Sequence, residues 1–262
     1  MITSLRNPHI QAARKLVKRA VRDDRREFLV EGPNGVGQAL DSGAPLTALF
    51  LAGPDDPFPE HSRRAKAGGI PVLVVSDDVM RAISSTTTPA GIVAVSRFVD
   101  RDPVALLKDP PSLAVVLAGV RDPGNAGTII RSCAAAGADA VFLGEATVDI
   151  YNPKFVRATA GALFNLPFAR NVEIPWLLEN LGKLSLQRVA ADPIGETVYD
   201  QVDFRRRTAF VLGNEAWGVT EELAAAVDAR VSIPMSKSVE SLNVGMAATV
   251  LLFEAARQRR AG

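Results

Sequence analysis

LAVVLAGVRDPGNAGTIIRSCAAAGADAVFL, residues Leu113–Leu143, decides the fold. An apolar run over Leu113–Val120 leads into a polar turn, then a helical pattern over Ala126–Ala136, then a second apolar run over Ala140–Leu143. Strands covered on both faces by helices read as continuous apolar runs rather than alternating ones, so this stretch predicts a βαβ unit of a parallel sheet. Further apolar runs at Pro167–Ala169, Arg188–Ala191, Thr208–Leu212 and Val231–Ile233 alternate with helical patterns at Lys154–Leu163, Pro175–Leu184, Glu221–Val227 and Val244–Arg259. The alternation predicts an α/β domain over residues 113–262 built on a mostly parallel sheet.

Three of these strands end in polar loops of one kind. RDPGNAGTIIR (Arg121–Arg131) follows the first, GNEAWG (Gly213–Gly218) follows Thr208–Leu212, and SKSVESLNVG (Ser236–Gly245) follows Val231–Ile233. Ligands in open α/β sheets sit in the crevice outside the carboxyl ends of the strands, so the three loops predict one composite site. Taken singly, each polar residue has a plain structural reading. Asn125 can cap the helix that follows it, and Ser241 or Asn243 can cap the final helix. Glu215 can be a solvated carboxylate. Arg131 near a helix N-terminus opposes the helix dipole, which a bound anion such as a phosphate would offset; otherwise it is a surface arginine lying on its own stem.

Ahead of this domain, residues 1–98 read as a smaller unit of alternating strands (28–32, 46–52, 70–76, 90–98) and short helices, opened by a basic helix over Asn7–Arg22. Pro103, Pro110 and Pro111 with their charged neighbours mark 99–112 as a semi-rigid linker. Net charge is only +1, but Arg6, Arg14, Lys15, Lys18, Arg19, Arg22, Arg25 and Arg26 face only Asp23 and Asp24 in the opening stretch. Such a concentration fits either a polyanion partner or a solvated helix face. One cysteine, Cys133, excludes an internal disulfide, and with two histidines a Cys/His metal site is not expected. No apolar run reaches the ~18 residues of a membrane span, and the start lacks a secretory h-region, so a cytoplasmic chain is expected. The first loop has no G-x-G-x-x-G, which disfavours a nicotinamide dehydrogenase.

Together the loops carry a resemblance. DPGNAGTIIRS, LGNEAWG and IPMSKSVESLNVGMAATVLLFE resemble, in that order, the three motifs of the SpoU/TrmH family of RNA ribose 2′-O-methyltransferases in the SPOUT superfamily. EFLVEGPNGVGQAL and the strand leading from TPAGIVAV are similar to the ribosomal-protein-like substrate-binding domain of many members. The resemblance implies a catalytic domain with a deep trefoil knot and S-adenosylmethionine as methyl donor. It implies a homodimer without metal, and RNA as substrate, with 23S ribosomal RNA favoured over tRNA; a non-catalytic RNA-binding member is the alternative. Carried over, the catalytic positions are Asn125, Arg131, Glu215, Ser241 and Asn243. The cofactor positions are Leu212, Gly213, Asn214, Gly218, Ile233, Met235, Leu242 and Val244. Arginine stays protonated, so Arg131 is expected to hold the phosphate beside the target ribose and to stabilise developing negative charge rather than to act as a base.

Overall fold

The computed structural model describes residues 1–261, which divide into two compact units, 1–99 with 149–165 and 100–148 with 166 onward. The chain begins with α1 (Pro8–Lys15) and α2 (Arg19–Arg25), then β1 (Glu27–Glu31), α3 (Pro33–Asp41), β2 (Leu46–Ala52), α4 (Pro59–Ala67), β3 (Val72–Val75), α5 (Asp77–Ile83) and β4 (Ile92–Arg97). These strands form a sheet in the order β1-β4-β2-β3, with β3 parallel to β2 and the other pairs antiparallel. Ile10 and Ala13 of α1, Leu16 just after it, and Val79, Met80 and Ile83 of α5 close one core against Phe50 and Val93.

The basic opening is two helices rather than one. Arg22 turns inward, 2 % exposed, and donates to the carbonyls of Leu16 and Val17 at 2.8 and 2.7 Å and to the Asp149 carboxylate. The remaining basic residues of the stretch stay exposed.

Beyond β4 the structure departs from the expected boundaries. The stretch read as a linker holds α6 (Pro103–Lys108), capped by Asp102, with Leu107 buried. It belongs to the second unit: Arg101 N–H donates to the Phe168 carbonyl at 2.8 Å, and Asp100 pairs with Arg170. β5 (Leu113–Leu117), α7 (Pro123–Ala136) and β6 (Ala140–Gly144) follow as the predicted βαβ unit. Residues 149–165, expected within the catalytic domain, pack with the first unit instead. They carry α8 (Pro153–Ala158) and a short 3₁₀ turn. Apolar burial explains the change. Tyr151 is fully buried, stacked on Phe98 at 3.7 Å and tilted against Phe28 at 4.6 Å, and its hydroxyl accepts from Val99 N–H. Glu31, at the end of β1, accepts from Ser84, Ser85 and Arg157.

The second unit continues with β7 (Phe168–Val172), α9 (Ile174–Lys183), β8 (Gln187–Ala191), the unforeseen two-residue β9 (Thr197–Val198), β10 (Thr208–Leu212), α10 (Glu221–Ala225), β11 (Ala229–Ser232) and α11 (Val244–Arg260). Its seven strands are all parallel, in the order β7-β6-β5-β10-β8-β11-β9. β5, β6 and β10 are buried at every position, as their unbroken apolar runs required. Val116, Phe142 and Val211 pack under α9 and α10 through Leu177, Leu178, Leu181 and Leu223. α7 and α11 pack on each other and keep Ile129, Ile130, Leu251 and Leu252 from solvent.

Removing one partner of a buried ion pair leaves the other charge uncompensated. Arg22→Ala is therefore expected to lower the stability of the first unit by about 3 kcal/mol, read as a fall in the denaturant midpoint of the full chain. Arg25→Ala, at an exposed neighbour, leaves the midpoint in place.

Candidate functional site

Every strand of the second sheet points the same way, so the loops after β5, β10, β8 and β11 emerge along one edge. Helix capping sets the first of them. Asp122, not Asn125, caps α7, its carboxylate accepting from Asn125 N–H at 2.8 Å, and Pro123 fills the first turn. Asn125 lies inside the helix with its side-chain amide released for other partners. Its Nδ2 donates to Glu215 at 3.3 Å, and its Oδ1 accepts from Asn243 Nδ2 at 2.8 Å. Asn243 in turn is the cap of α11, its Oδ1 accepting from Gly245 and Met246 N–H at 2.9 and 3.3 Å.

Glu215 ties the loops together. Besides Asn125, its carboxylate accepts from Arg121 N–H at 3.1 Å and Asp122 N–H at 2.9 Å. Burial pushes its pKa up, but the N–H donors outweigh this and hold the carboxyl below the ordinary 4.5. Asn214, buried, completes the junction: its Nδ2 donates to the Gly119 carbonyl and its Oδ1 accepts from Ala216 N–H, both at 2.8 Å. Asn214 and Gly218 exchange backbone hydrogen bonds at 3.0 and 2.9 Å, folding the loop so tightly that a Cβ on Gly213 would sit 2.1 Å from the Gly218 carbonyl oxygen. Only glycine fits there.

Of the five expected catalytic positions, Asn125, Glu215 and Asn243 thus form one hydrogen-bonded chain across three loops. Arg131 and Ser241 stand apart. Arg131 is exposed, about 9 Å farther along the α7 axis than Asn125, and among the described residues has no hydrogen bond or ion pair. Ser241 is likewise exposed and unbonded. Of the expected cofactor positions, Leu212, Gly213 and Asn214 are buried, Gly218, Ile233, Met235 and Val244 half-buried, and Leu242 is 38 % exposed.

Sequence reasoning missed the loop after β8. β8 lies between β10 and β11, so residues 192–196 emerge between two of the expected cofactor loops. Asp192 organises this loop by accepting from Ile194 N–H at 3.1 Å, and leaves Ile194 79 % exposed. DPIGE reads as an ordinary turn, and strand order alone reveals its place. Arg121 was also missed; its guanidinium lies 5.3 Å from the centre of the exposed Trp217 ring. Among the described residues no group of three or more His, Cys, Asp or Glu side chains is placed to hold a metal ion.

An all-parallel sheet with three loops bonded to one another at its carboxyl edge defines an α/β protein with a ligand site outside the strand ends. The chain belongs to the SpoU rRNA Methylase family, whose pattern matches residues 112–253, and residues 7–94 match an MRM3-like substrate binding domain. It is 33 % identical to an uncharacterized tRNA/rRNA methyltransferase of Synechocystis, over 98 % of this chain and 94 % of that one. It is 29 % identical to the 23S rRNA (guanosine(2553)-2′-O)-methyltransferase of Bacillus subtilis, over 96 % and 97 %. The AdoMet-bound rRNA methyltransferase of Sinorhizobium meliloti superposes with a TM-score of 0.86 at 32 % identity, over 98 % of this chain and 97 % of that one.

The Glu215 carboxylate has a lowered pKa, so its hold on the first loop is fully present above its unfolded value and lost as pH falls through the folded one. Tryptophan emission is expected to stay flat from neutral pH down to 4.5 and to change only below it. In Glu215→Gln that acid transition is absent and emission at neutral pH already matches the loosened loop.

Proposed function

We propose that this chain transfers a methyl group from S-adenosylmethionine to a ribose 2′-hydroxyl of large-subunit ribosomal RNA. The observation that carries this reading is the Glu215–Asn125–Asn243 chain, which welds the three family motifs into one site at the carboxyl edge of the sheet. The cofactor fits the residues present. Ile194 and Leu242 expose apolar surface, Ile233 and Met235 are half-buried, and the loops around Gly213 and Gly218 offer backbone rather than charged groups. That chemistry suits an adenine ring and the methylene groups of a sulfonium-bearing chain. Leu212, Gly213, Asn214, Gly218, Ile233, Met235, Leu242 and Val244 would hold it.

When bound, S-adenosylmethionine would supply an electrophilic methyl group on its sulfonium, leaving as the neutral thioether, with the ribose hydroxyl proton passing to water. The protein supplies position and electrostatics. Asn125, Glu215 and Asn243 spend their polar atoms on one another and on loop backbone, so they fix the shape of the site. Arg131 and Ser241 keep theirs for the substrate. Arg131 grips the phosphate beside the target ribose, and its permanent charge stabilises negative charge building on the attacking oxygen. Ser241 orients the hydroxyl or the cofactor.

The unit is a homodimer, and Arg131 reaches the site across the interface. Its lack of a partner supports this, as do Met246 and Phe253, exposed along α11. The second domain carries a trefoil knot. A close crossing of chain supports it, since a Cβ on Gly195 would lie within 2.8 Å of the Arg230 and Val231 backbone. The exposed basic residues of α1 and α2 bind RNA phosphates, and the chain works in the cytoplasm; among the described residues no helix is long and apolar enough to cross a membrane.

Arg131→Lys keeps the charge but loses the two-pronged donor. Methyl transfer from tritiated cofactor to unmodified ribosomal RNA is expected to fall about 100-fold, with cofactor affinity by calorimetry unchanged. Near-wild-type transfer removes Arg131 from the chemistry, and transfer to no RNA at all removes the proposed activity. Light scattering is expected to give twice the chain mass; an active monomer rules out a shared site.

A further inference from the structure

The order of the second sheet reverses between β5 and β10: β6 and β7 lie on one side, β8, β11 and β9 on the other. Such a reversal opens a crevice between the two strand ends, the usual ligand position in an open α/β sheet. Here it is a cavity of about 470 Å³, walled by Ile174 and Leu178 of α9, Leu223 of α10 and Ala226 just after it, and Asn214 and Trp217 of the loop after β10. That size suits a small organic group. Gly213, Asn214 and Gly218, assigned to the methyl donor, line one wall of it, whereas Leu212, Ile233, Met235, Leu242 and Val244 do not, so its body extends beyond the methyl-donor place, under α9 and α10. It is nevertheless adjacent to the reacting site, because Asn214 forms its wall and the next residue, Glu215, anchors the motif chain.

The chemistry of the cavity selects a flat, uncharged ligand. Of the charged groups that line it, Glu179 pairs with Lys183 at 2.6 Å and Arg188, the one cation among them, with Asp228 at 2.6 Å, while Glu222 has no ion pair among the described residues. No cation is left over for a phosphate. Trp217 is 59 % exposed in an otherwise polar loop, with the Arg121 guanidinium over one ring face. A ring held that way is ready for a planar partner on the other face.

We propose that this cavity is a nucleobase pocket: a base of the RNA, at or next to the ribose being methylated, leaves its stack and enters between α9 and α10 against Trp217. The inference rests on the RNA-methylating function above and names how that site takes its substrate. A base withdrawn from its stack turns its sugar out of the helix, which brings a 2′-hydroxyl within reach of groups at the sheet edge. Substrate is thereby restricted to loops, bulges or other segments whose unstacking costs little.

The test uses the full chain with two probes, in-vitro-transcribed large-subunit ribosomal RNA and S-adenosylmethionine alone. Trp217→Ala, at an exposed position that leaves the fold intact by circular dichroism, and Ala226→Phe, which fills the cavity, are each expected to raise the RNA Kd about tenfold, the loss of one base–aromatic stack. The cofactor Kd stays unchanged, and Trp217→Phe restores most of the RNA affinity. Unchanged RNA affinity in Trp217→Ala overturns the pocket while leaving the methyltransferase reading intact. A parallel loss of cofactor affinity assigns the cavity to the methyl donor, and a change of oligomeric state assigns it to an interface between copies; either overturns the proposal. A wild-type chain that neither binds nor methylates the RNA overturns both readings together.

Discussion

The Glu215 carboxylate is the contact on which the site depends. It accepts two backbone N–H groups from the turn before α7 and the side-chain amide of Asn125. Without an anion there, those N–H groups face one another's dipoles and the loop after β5 has nothing to fold onto. Asn125 would lose one of its two fixed directions, and Asn243 would lose the partner that aligns its Nδ2. The parallel sheet brings the three loops to one edge, but the sheet alone does not bond them. Charge-assisted hydrogen bonds to a single carboxylate do.

The same contact separates two kinds of motif residue. Side chains whose polar atoms are already satisfied within the protein build the shape of the site, and side chains with open polar atoms are the ones proposed to meet the substrate. Asn243 illustrates the first kind, with its oxygen on the α11 backbone and its nitrogen on Asn125. Arg131 illustrates the second, exposed and without a partner among the described residues. Motif resemblance lists both kinds alike, and hydrogen-bond geometry tells them apart.

The parallel sheet was legible in the sequence because burial on both faces removes polar residues from β5, β6 and β10, and an unbroken apolar run is visible without coordinates. The polar loops were legible because Asn125, Glu215 and Asn243 each stand in a Gly-bearing turn after such a run. What stayed hidden depends on contacts distant in sequence. Asp122, the cap of α7, competes with Asn125 three residues on, and both are good caps; in the structure Pro123 takes the first turn and the Asn125 amide turns to Glu215 and Asn243. The inward turn of Arg22 depends on Asp149, 127 residues away. The helix at Pro103–Lys108 was masked by prolines, which break a helix in its middle but favour its first turn, where Pro103 sits. The place of the loop after β8 follows from strand order, which no local pattern encodes.

Residues 149–165 give the two units an unusual covalent relation. The chain passes from one unit to the other near residues 99, 148 and 165, three times rather than once. Neither unit is therefore a detachable module. A truncation that starts the chain at residue 100 would leave Tyr151, Phe155 and Leu163, all buried in the first unit, with no surface to cover them. Gene fusion or domain shuffling at the 99/100 boundary meets the same obstacle. Evolution can exchange the first unit only by rewriting a 17-residue excursion inside the second, so the two units are constrained to change together.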